Sequence, residues 1–382
     1  MRVNFVAPLC RTGVGLHAQN ILAELLKLER EGTFEISVHP IGPVQHSVSA
    51  EVTEAVSAKL MRQKSFDEAD LTVAFRLPQS YVRAQMPRAR RQVCLTVFET
   101  DFFPGLQNLR EADEVWVPTE WGREVLFNLS VDRPVRVVPE GVSHIRLERP
   151  PRQEETLRIL NVGKFEKRKG HLLLLDLLPK LGRPVRLDAW WDNPWDRAGA
   201  HHALCQRGFE KLSYVRDLFD DYQKGDSHVR LWRPFDSQSA LLYEMSTADL
   251  AIFPHYGEGW GLPILESIAL GIPTLASAHT GSEDYMESYR SVLCQRNVGL
   301  ETSLFEARRE PASDGIFFRP EAHGQWLAPD PEELLKRTLE LIPAALDPEQ
   351  RQRFAQAGYL MGLDYSWRSA AEEFIRTCHQ LE

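Results

Sequence analysis

A glycine-rich loop after an apolar strand, together with the helix that follows it, carries two carboxylates eight positions apart. The loop reads Gly-Glu-Gly-Trp-Gly from Gly257 to Gly261, so Glu258 lies in it, and Glu266 falls about one turn into a helix predicted to begin near Pro263. Glycines let the backbone approach a ligand closely, and the free amides at a helix start favour an anion such as diphosphate. The two carboxylates would reach different depths of a binding site, so each could accept hydrogen bonds from a different set of sugar hydroxyls on one ligand. Taken alone, such a sequence is more simply explained as a tight loop without a ligand, in which Glu266 caps the helix or lies on its solvated face.

A second turn in the same half of the chain is dense in positive charge. Lys164, Lys167, Arg168 and Lys169 occupy four of six positions after a strand predicted over 157–162. Ligands of open α/β sheets bind at the carboxyl ends of strands, where Lys164 and Lys169 could neutralise a diphosphate. A solvated run of charges is the alternative interpretation.

The elements that would position both turns alternate between short apolar strands and helices. Strands are predicted over 2–7, 34–40, 71–75, 92–97, 114–117 and 135–139, and again over 157–162, 185–190, 229–232, 250–253 and 273–276. Helices are predicted over 16–30, 171–181 and 263–270, with one more near 209–221 in the polar segment 192–227. Thr119 is a predicted helix cap.

This alternation predicts parallel sheets with right-handed crossovers. We therefore expect an α/β protein of two Rossmann-like domains that face one another across a cleft. The N-terminal domain would span 1–145, a polar linker 146–156, and the C-terminal domain 157–364. Residues 365–382 would form a C-terminal helix that could cross back to the N-terminal domain.

The composition excludes several classes of protein. The chain has 382 residues, 43% of them hydrophobic and 26% charged, which is enough to build two cores and argues against disorder. A net charge of −9 argues against general affinity for nucleic acids. No apolar run reaches the ~18 residues of a membrane span. Five scattered cysteines without metal-type spacing, and no signal peptide, predict a cytoplasmic protein with reduced thiols.

Together, the two turns resemble those of the retaining GT-B glycosyltransferases of the family 4 clan, the glycosyl transferases group 1. The similarity includes the clan's Glu-x7-Glu motif, here Glu258 and Glu266, and its Gly-basic…Lys-Gly turn, here within residues 163–170. Further matches lie at 137–142, 271–274 and 365–367, so the resemblance extends over almost the whole chain.

The resemblance implies a role for each residue of the two turns. Lys164 and Lys169 would hold the diphosphate of a nucleotide-sugar donor and act in catalysis. Glu258 would contact the transferred sugar, also as a catalytic residue, and Glu266 would bind the ribose hydroxyls. The other positions implied in donor binding are Gly13, Gly15, Gly163, Gly259, Gly261 and Leu262.

The N-terminal glycine loop has a second interpretation. It also fits the dinucleotide fingerprint Gly-x-Gly-x-x-Ala, which would end at Ala18. The acid at the expected distance, Glu35, lies inside a predicted strand rather than at its end, which argues against a nicotinamide enzyme.

Three positions depart from the family pattern. Lys164 stands where many relatives have arginine, so a bidentate phosphate contact would become a point-charge contact. Trp260 replaces the more usual phenylalanine. Many relatives also have a histidine near the reacting sugar, after the fourth or fifth strand. Here that segment offers Glu99 or Asp101 instead, and we take Glu99 as a candidate catalytic residue, although both could be turn residues that cap a helix.

The resemblance implies a hexosyl- or pentosyltransferase that moves a sugar from a nucleotide-diphosphate donor to an acceptor hydroxyl with retention of configuration. The resemblance also implies a front-face mechanism, and since no carboxylate is an obvious covalent nucleophile, we prefer it over double displacement. The sequence contains no Asp-x-Asp, so we expect neither a metal ion nor another cofactor.

The sequence contains less information on the acceptor than on the donor. Residues 1–145 would bind it, and we expect a glycan, a lipid-linked sugar or a small molecule before a nucleic acid or a protein. The basic segment 83–91 could meet an anionic acceptor or a membrane surface, or be a solvated face. The alternatives with the same fold are a nucleotide-sugar epimerase, a non-catalytic nucleotide-sugar-binding protein and a phosphorylase.

Overall fold

The computed structural model describes residues 1–32, 34–46, 48–63, 65–143, 155–214 and 218–381. The chain forms two compact units. Unit 1 comprises Met1–Ser143, Asp236–Ser239 and Leu363–Glu382, and unit 2 comprises His144–Phe235 and Ala240–Gly362. Of the predicted linker 146–156, residues 146–154 lie outside the described part of the chain.

Unit 1 is built on a parallel sheet covered by helices. Its strands are β1 Arg2–Ala7, β2 Glu35–Pro40, β3 Ala69–Phe75, β4 Ala89–Leu95, β5 Glu114–Val117 and β6 Val135–Val137. They pair in the order β2-β1-β3-β4-β5-β6, and the helices between them are α1 Gly13–Arg30, α2 Ala50–Arg62 and α3 Glu120–Asn128. The Thr119 hydroxyl accepts from the Gly122 amide at 3.0 Å, which confirms the predicted cap of α3.

Unit 2 contains a second, mostly parallel sheet. Its strands are β7 Leu157–Val162, β8 Val185–Trp190, β9 Glu210–Tyr214, β10 Phe219–Lys224, β11 Ser227–Trp232, β12 Leu250–Phe253, β13 Thr274–Ser277 and β14 Ser303–Leu304. They pair in the order β14-β13-β12-β7-β8-β11-β10-β9, and β10 runs antiparallel to both of its neighbours. The strands β15 Glu306–Pro311 and β16 Gln325–Pro329 form a separate antiparallel hairpin.

Helices complete unit 2 and close the chain in unit 1. They are α4 His171–Leu177, α5 Gly199–Gln206, α6 Gln238–Ser246, α7 Leu262–Ala269, α8 Glu283–Gln295, α9 Pro331–Leu346, α10 Pro348–Asp364 and α11 Trp367–His379. Helix α11 belongs to unit 1, where the Phe374 ring packs on Phe5 at 6.1 Å and on Trp116 at 5.3 Å between ring centroids.

The helix predicted near 209–221 is wrong. The segment instead carries strands β9 and β10, and β10 pairs with β11 so that Lys224 lies opposite Ser227. Gly225 adopts a left-handed conformation, with φ +57°, in the two-residue turn that joins them. The Lys-Gly-Asp-Ser run between two aromatic-containing segments was the turn signal in the sequence, and it outweighs the weak helical spacing.

The strand order places a topological switch point in unit 2 between β7 and β12. From β7 the sheet grows through β8 in one direction and through β12 in the other, so the loops after β7 and β12 leave the same edge in opposite directions. Buried Asn161 joins the two strands, because its side-chain amide donates to the carbonyl oxygen of Ile252 at 2.7 Å. Ligands of open α/β sheets bind in the crevice at such a point.

Candidate functional site

The two loops that leave the switch point, residues 163–170 and 254–261, contact one another directly. The Tyr256 amide donates to the carbonyl oxygen of Arg168 at 2.7 Å. Gly170 has φ +71°, and a Cβ built on it would lie 1.9 Å from the carbonyl oxygen of Pro254. Only glycine therefore fits where the basic turn meets the second loop.

We expect Gly170→Ala to destabilise unit 2 far more than Gly182→Ala. Gly182 has a similar φ of +64° but no atom within 4 Å of the added Cβ, so it isolates the backbone strain, about 1–2 kcal/mol. Gly170→Ala adds a collision with main-chain atoms that cannot rotate away. Urea unfolding of both variants measures the difference, and equal losses would show that the two loops do not need this close contact.

A chain of alternating charges links both loops; we call it the charge chain. Lys164 Nζ lies 2.6 Å from Glu166 Oε1, and Glu166 Oε2 accepts from Arg168 at 3.1 Å. Arg168 also donates to Glu258 Oε2 at 3.1 Å. The other oxygen of Glu258 accepts from Lys169 Nζ at 2.5 Å. The structure thus brings the predicted residues Lys164, Lys169 and Glu258 together at the carboxyl edge of the sheet.

The environment of Glu258 keeps its carboxyl group ionised. Its burial, at 6% exposure, would by itself raise the pKa. The positive charges of Lys169 and Arg168 outweigh that effect, and the pKa is lowered to about 2. Glu258 is therefore a charged acceptor at neutral pH, held in place by two cations.

This depressed pKa predicts a pH dependence of stability. The unfolded chain protonates Glu258 near the ordinary value of 4.5, and the folded chain only near 2, so the stabilisation is complete above pH 4.5 and is lost as the pH falls toward 2. We expect the difference in unfolding free energy between the wild type and Glu258→Gln to shrink over that window. Urea titrations from pH 7 to pH 3 measure it, with Glu51→Gln, an exposed carboxylate, as control. A difference that is constant with pH would contradict the assignment.

Two buried histidines lie behind the loops and are neutral. His171 stacks on Phe165 at 5.3 Å and contacts Trp191 at 4.6 Å between ring centroids. His255 donates through Nε2 to the carbonyl oxygen of Ser277 at 3.1 Å. Burial lowers the pKa of both rings well below the ordinary value. The positive charge close to Glu258 therefore comes from lysine and arginine side chains.

The second loop ends in the start of α7. Gly261 has φ +93°, and a Cβ there would lie 2.8 Å from the Tyr285 hydroxyl, so this position also requires glycine. Gly259 is buried beside it, and Leu262 is the first residue of α7. Glu266 lies one turn further along α7 and is buried at 5% exposure. The predicted helix start is confirmed, with Glu258 in the loop and Glu266 inside the helix.

The remaining predicted positions lie in loops that follow strands or in the first turn of α1. In unit 2 the Gly163 amide donates to the carbonyl oxygen of Trp190 at 3.1 Å. In unit 1, Gly13 opens α1, and a Cβ on Gly15 would lie 2.2 Å from the carbonyl oxygen of Cys10. Glu99 is partly exposed in the loop after β4. Gly13, Gly15 and Glu99 thus belong to unit 1, whereas the residues of the charge chain belong to unit 2.

Sequence reasoning missed two members of the charge chain, Glu166 and Arg168. Arg168 is only 2% exposed and also donates to the carbonyl oxygen of Gly257 at 2.7 Å. A buried guanidinium is costly unless its charge is compensated, and here the two terminal nitrogens of Arg168 donate to Glu166, Glu258 and the Gly257 carbonyl, which indicates a fixed arrangement. The only signal in the sequence was Glu166, a lone acid inside a basic run.

The basic segment 83–91 lies where the strands of its sheet begin, opposite to their carboxyl ends. It leads into the amino end of β4, whereas ligands of parallel sheets bind at the carboxyl ends. Arg83 pairs with Asp113 at 3.1 Å and Arg90 with Asp70 at 3.7 Å. This cluster therefore does not line the ligand-binding edge of unit 1.

Neither a metal-type cluster nor a membrane-spanning helix occurs among the described residues. No group of three or more histidine, cysteine or acidic side chains in that part of the chain could hold a metal ion. No helix in the described ranges is long and apolar enough to cross a membrane.

The segment that carries the charge chain is similar to known proteins. Residues 146–298 match the family described as glycosyl transferases group 1. The α-monoglucosyldiacylglycerol synthase of Streptococcus pneumoniae is 28% identical over 173 residues, which cover 44% of this chain. The match spans 38% of the length of that relative.

Solved structures resemble the whole chain. The Anabaena protein HepE, in complex with UDP-glucose, has a TM-score of 0.62 at 14% identity, with 100% of both chains covered. Sucrose-phosphate synthase from Thermosynechococcus elongatus has a TM-score of 0.60 at 14% identity, covering 100% of this chain and 99% of that one. These likenesses show that the fold is GT-B, as the sequence predicted.

Proposed function

We infer, from the membership of residues 146–298 in the glycosyl transferases group 1 family, that this chain is a glycosyltransferase that moves a sugar from a nucleotide-diphosphate donor to an acceptor hydroxyl. The observation that carries the proposal is the charge chain at the switch point of unit 2, inside the matched segment. It supplies cations for a diphosphate and an ionised carboxylate for a sugar.

In the proposed mechanism, positive groups stabilise the leaving diphosphate as the sugar gains oxocarbenium character. Lys164, Lys169 and the amides at the start of α7 would do this, since fixed charges and dipoles act strongly in a site that excludes water. Glu258 would accept hydrogen bonds from the transferred sugar, and Glu266 from the ribose. Because the lysines supply positive charge, we propose that transfer needs no metal ion.

Retention of configuration is proposed to follow a front-face path. Glu258, the carboxylate paired with Lys169, is also bound by Arg168, and its low pKa makes it a weak nucleophile. This supports direct departure and attack on one face over a covalent glycosyl-enzyme.

The comparisons suggest the first substrates to test. HepE is described in complex with UDP-glucose, so we propose a UDP-hexose donor. The curated relative is a glucosyldiacylglycerol synthase, so we propose a lipid-linked acceptor before other glycans, bound by unit 1. All five cysteines lack disulfide bonds, which supports the cytoplasm as the proposed location.

The proposal is tested by incubating the chain with UDP-, GDP-, ADP-, CDP- and TDP-sugars and a panel of glycan and lipid acceptors, with and without EDTA. We expect one donor to release its nucleoside diphosphate in an acceptor-dependent way, unaffected by EDTA. Proton NMR should show the product with the anomeric configuration of the donor. An epimerised donor without an acceptor, or an inverted product, would contradict the proposal.

A further inference from the structure

Two partly exposed aromatic rings lie over the ammonium group of Lys164. Lys164 Nζ is 5.2 Å from the centroid of the Trp195 ring and 5.6 Å from that of Phe317. The two rings meet edge to face, 4.8 Å apart at an interplanar angle of 86°. Trp195 is 54% exposed and Phe317 42%, so neither ring is part of the core of unit 2.

Trp195 is held by the loop after β8. Asn193, which is buried, donates through Nδ2 to the carbonyl oxygen of Phe165 at 2.9 Å. Its side-chain oxygen accepts from the Trp195 amide at 3.0 Å. The same asparagine thus ties the backbone of Trp195 to the basic turn that contains Lys164.

Phe317 is held by the turn between β15 and β16. The Asp314 side chain accepts from the amides of Ile316, Phe317 and Phe318 at 2.8, 2.8 and 2.9 Å. The Phe318 ring faces inward and packs on Trp326 at 5.1 Å between centroids. The turn is therefore anchored on one side and presents Phe317 on the other.

We propose that Trp195 and Phe317 are positioning residues that hold the Lys164 ammonium between two ring faces and Glu166; we call this arrangement the Lys164 clamp. The assignment of Lys164 to a diphosphate rests on the proposed function. A lysine ammonium is a point charge on a flexible stem, without the preorganised fork of arginine. Cation–π contacts restrict that stem, and an ammonium group paired with Glu166 still has further hydrogen atoms to donate to a ligand.

The clamp has a consequence for ligand affinity. Loss of one ring leaves Lys164 free to take up other rotamers, so binding a phosphate must order it again. Trp195→Leu and Phe317→Leu should each weaken diphosphate binding by roughly 2–5-fold, which corresponds to the usual strength of an exposed cation–π contact. Trp195→Phe, which keeps an aromatic face, should restore most of the affinity.

The first experiment measures the position of Lys164 without a ligand. Reductive methylation with carbon-13 labels the lysines, and the Lys164 signal is identified by its loss in Lys164→Arg. We expect the ring currents of Trp195 and Phe317 to shift the methyl signal of Lys164 upfield. The shift should be smaller in Trp195→Leu and in Phe317→Leu. Phe127→Leu, which removes a highly exposed ring on α3 of unit 1, should leave it unchanged. An unshifted signal in the wild type would overturn the clamp.

The second experiment measures inorganic pyrophosphate binding by calorimetry in a double-mutant cycle. Trp195→Leu should lower the affinity when Lys164 is present and have no effect in the Lys164→Met background. Equal effects in both backgrounds would show that Trp195 does not act through Lys164, which overturns the proposal. A ring-current shift without any pyrophosphate binding would confirm the clamp and contradict the proposed function instead.

Discussion

Replacing Lys169 with methionine should lower kcat by about 10²–10³-fold, the usual cost of removing one group that stabilises developing charge. The Lys169 ammonium lies 2.5 Å from Glu258 Oε1, at the junction of the two loops, and its side chain is 15% exposed. If it holds the donor diphosphate, its loss should weaken binding of a nucleoside diphosphate more than binding of the nucleoside. Steady-state kinetics and calorimetry with UDP and uridine measure both effects.

The chain offers a matched control two positions earlier. Lys167 belongs to the same basic turn, but its ammonium pairs with Glu310 at 2.7 Å and its side chain is 45% exposed. Lys167→Met should therefore keep kcat and UDP affinity near the wild-type values. If both variants lose activity alike, the effect comes from the overall charge of the turn and not from a contact made by Lys169.

Replacing Glu258 with alanine should lower the free energy of unfolding by about 3–5 kcal/mol. It should also lower the turnover number. Removing one partner of a buried ion pair leaves the other charge without compensation. Here Arg168, at 2% exposure, would retain Glu166 but lose its charged contact with Glu258. Urea unfolding measures the loss, and Glu258→Gln, which keeps the shape, separates the charge from the cavity.

Glu349→Ala is the control for this prediction. Glu349 pairs with Arg353 at 2.6 Å on α10, and its side chain is 72% exposed, so its removal should cost at most about 1 kcal/mol. Similar losses for Glu258→Ala and Glu349→Ala would contradict a buried, coupled network around Arg168.

The sequence predicted the strands of both sheets well where the apolar runs are short and sharply bounded. The predicted bounds of β1, β5, β7, β8 and β12 agree with the structure residue for residue. Both faces of a strand in a covered parallel sheet are buried, which favours apolar residues along the whole strand. Strand β12 is wholly apolar, and the other four strands each contain one or two polar residues among apolar ones. The glycine loop and the start of α7 were predictable for a similar reason, because glycine and proline mark the ends of the elements.

Other features depend on contacts between distant residues. Strand β15 contains Glu306 and Arg309 and has no apolar run, and it forms because it pairs with β16, which carries the buried Trp326. The charge chain joins residues about 90 positions apart, so the sequence could suggest Lys164 and Lys169 as ligands but not their pairing with Glu166 and Glu258. Only the strand order brings these loops together.

The most direct test of the central claim, that a nucleoside diphosphate binds where the loops after β7 and β12 meet, is hydrogen exchange measured by mass spectrometry. UDP, GDP, ADP, CDP and TDP would each be added at saturating concentration in EDTA. We predict that at least one nucleotide slows exchange of the amides in 163–170 and 254–266 in the wild type, and that this protection is reduced in Lys169→Met. Protection confined to other segments, or none with any of the five nucleotides, would contradict the account.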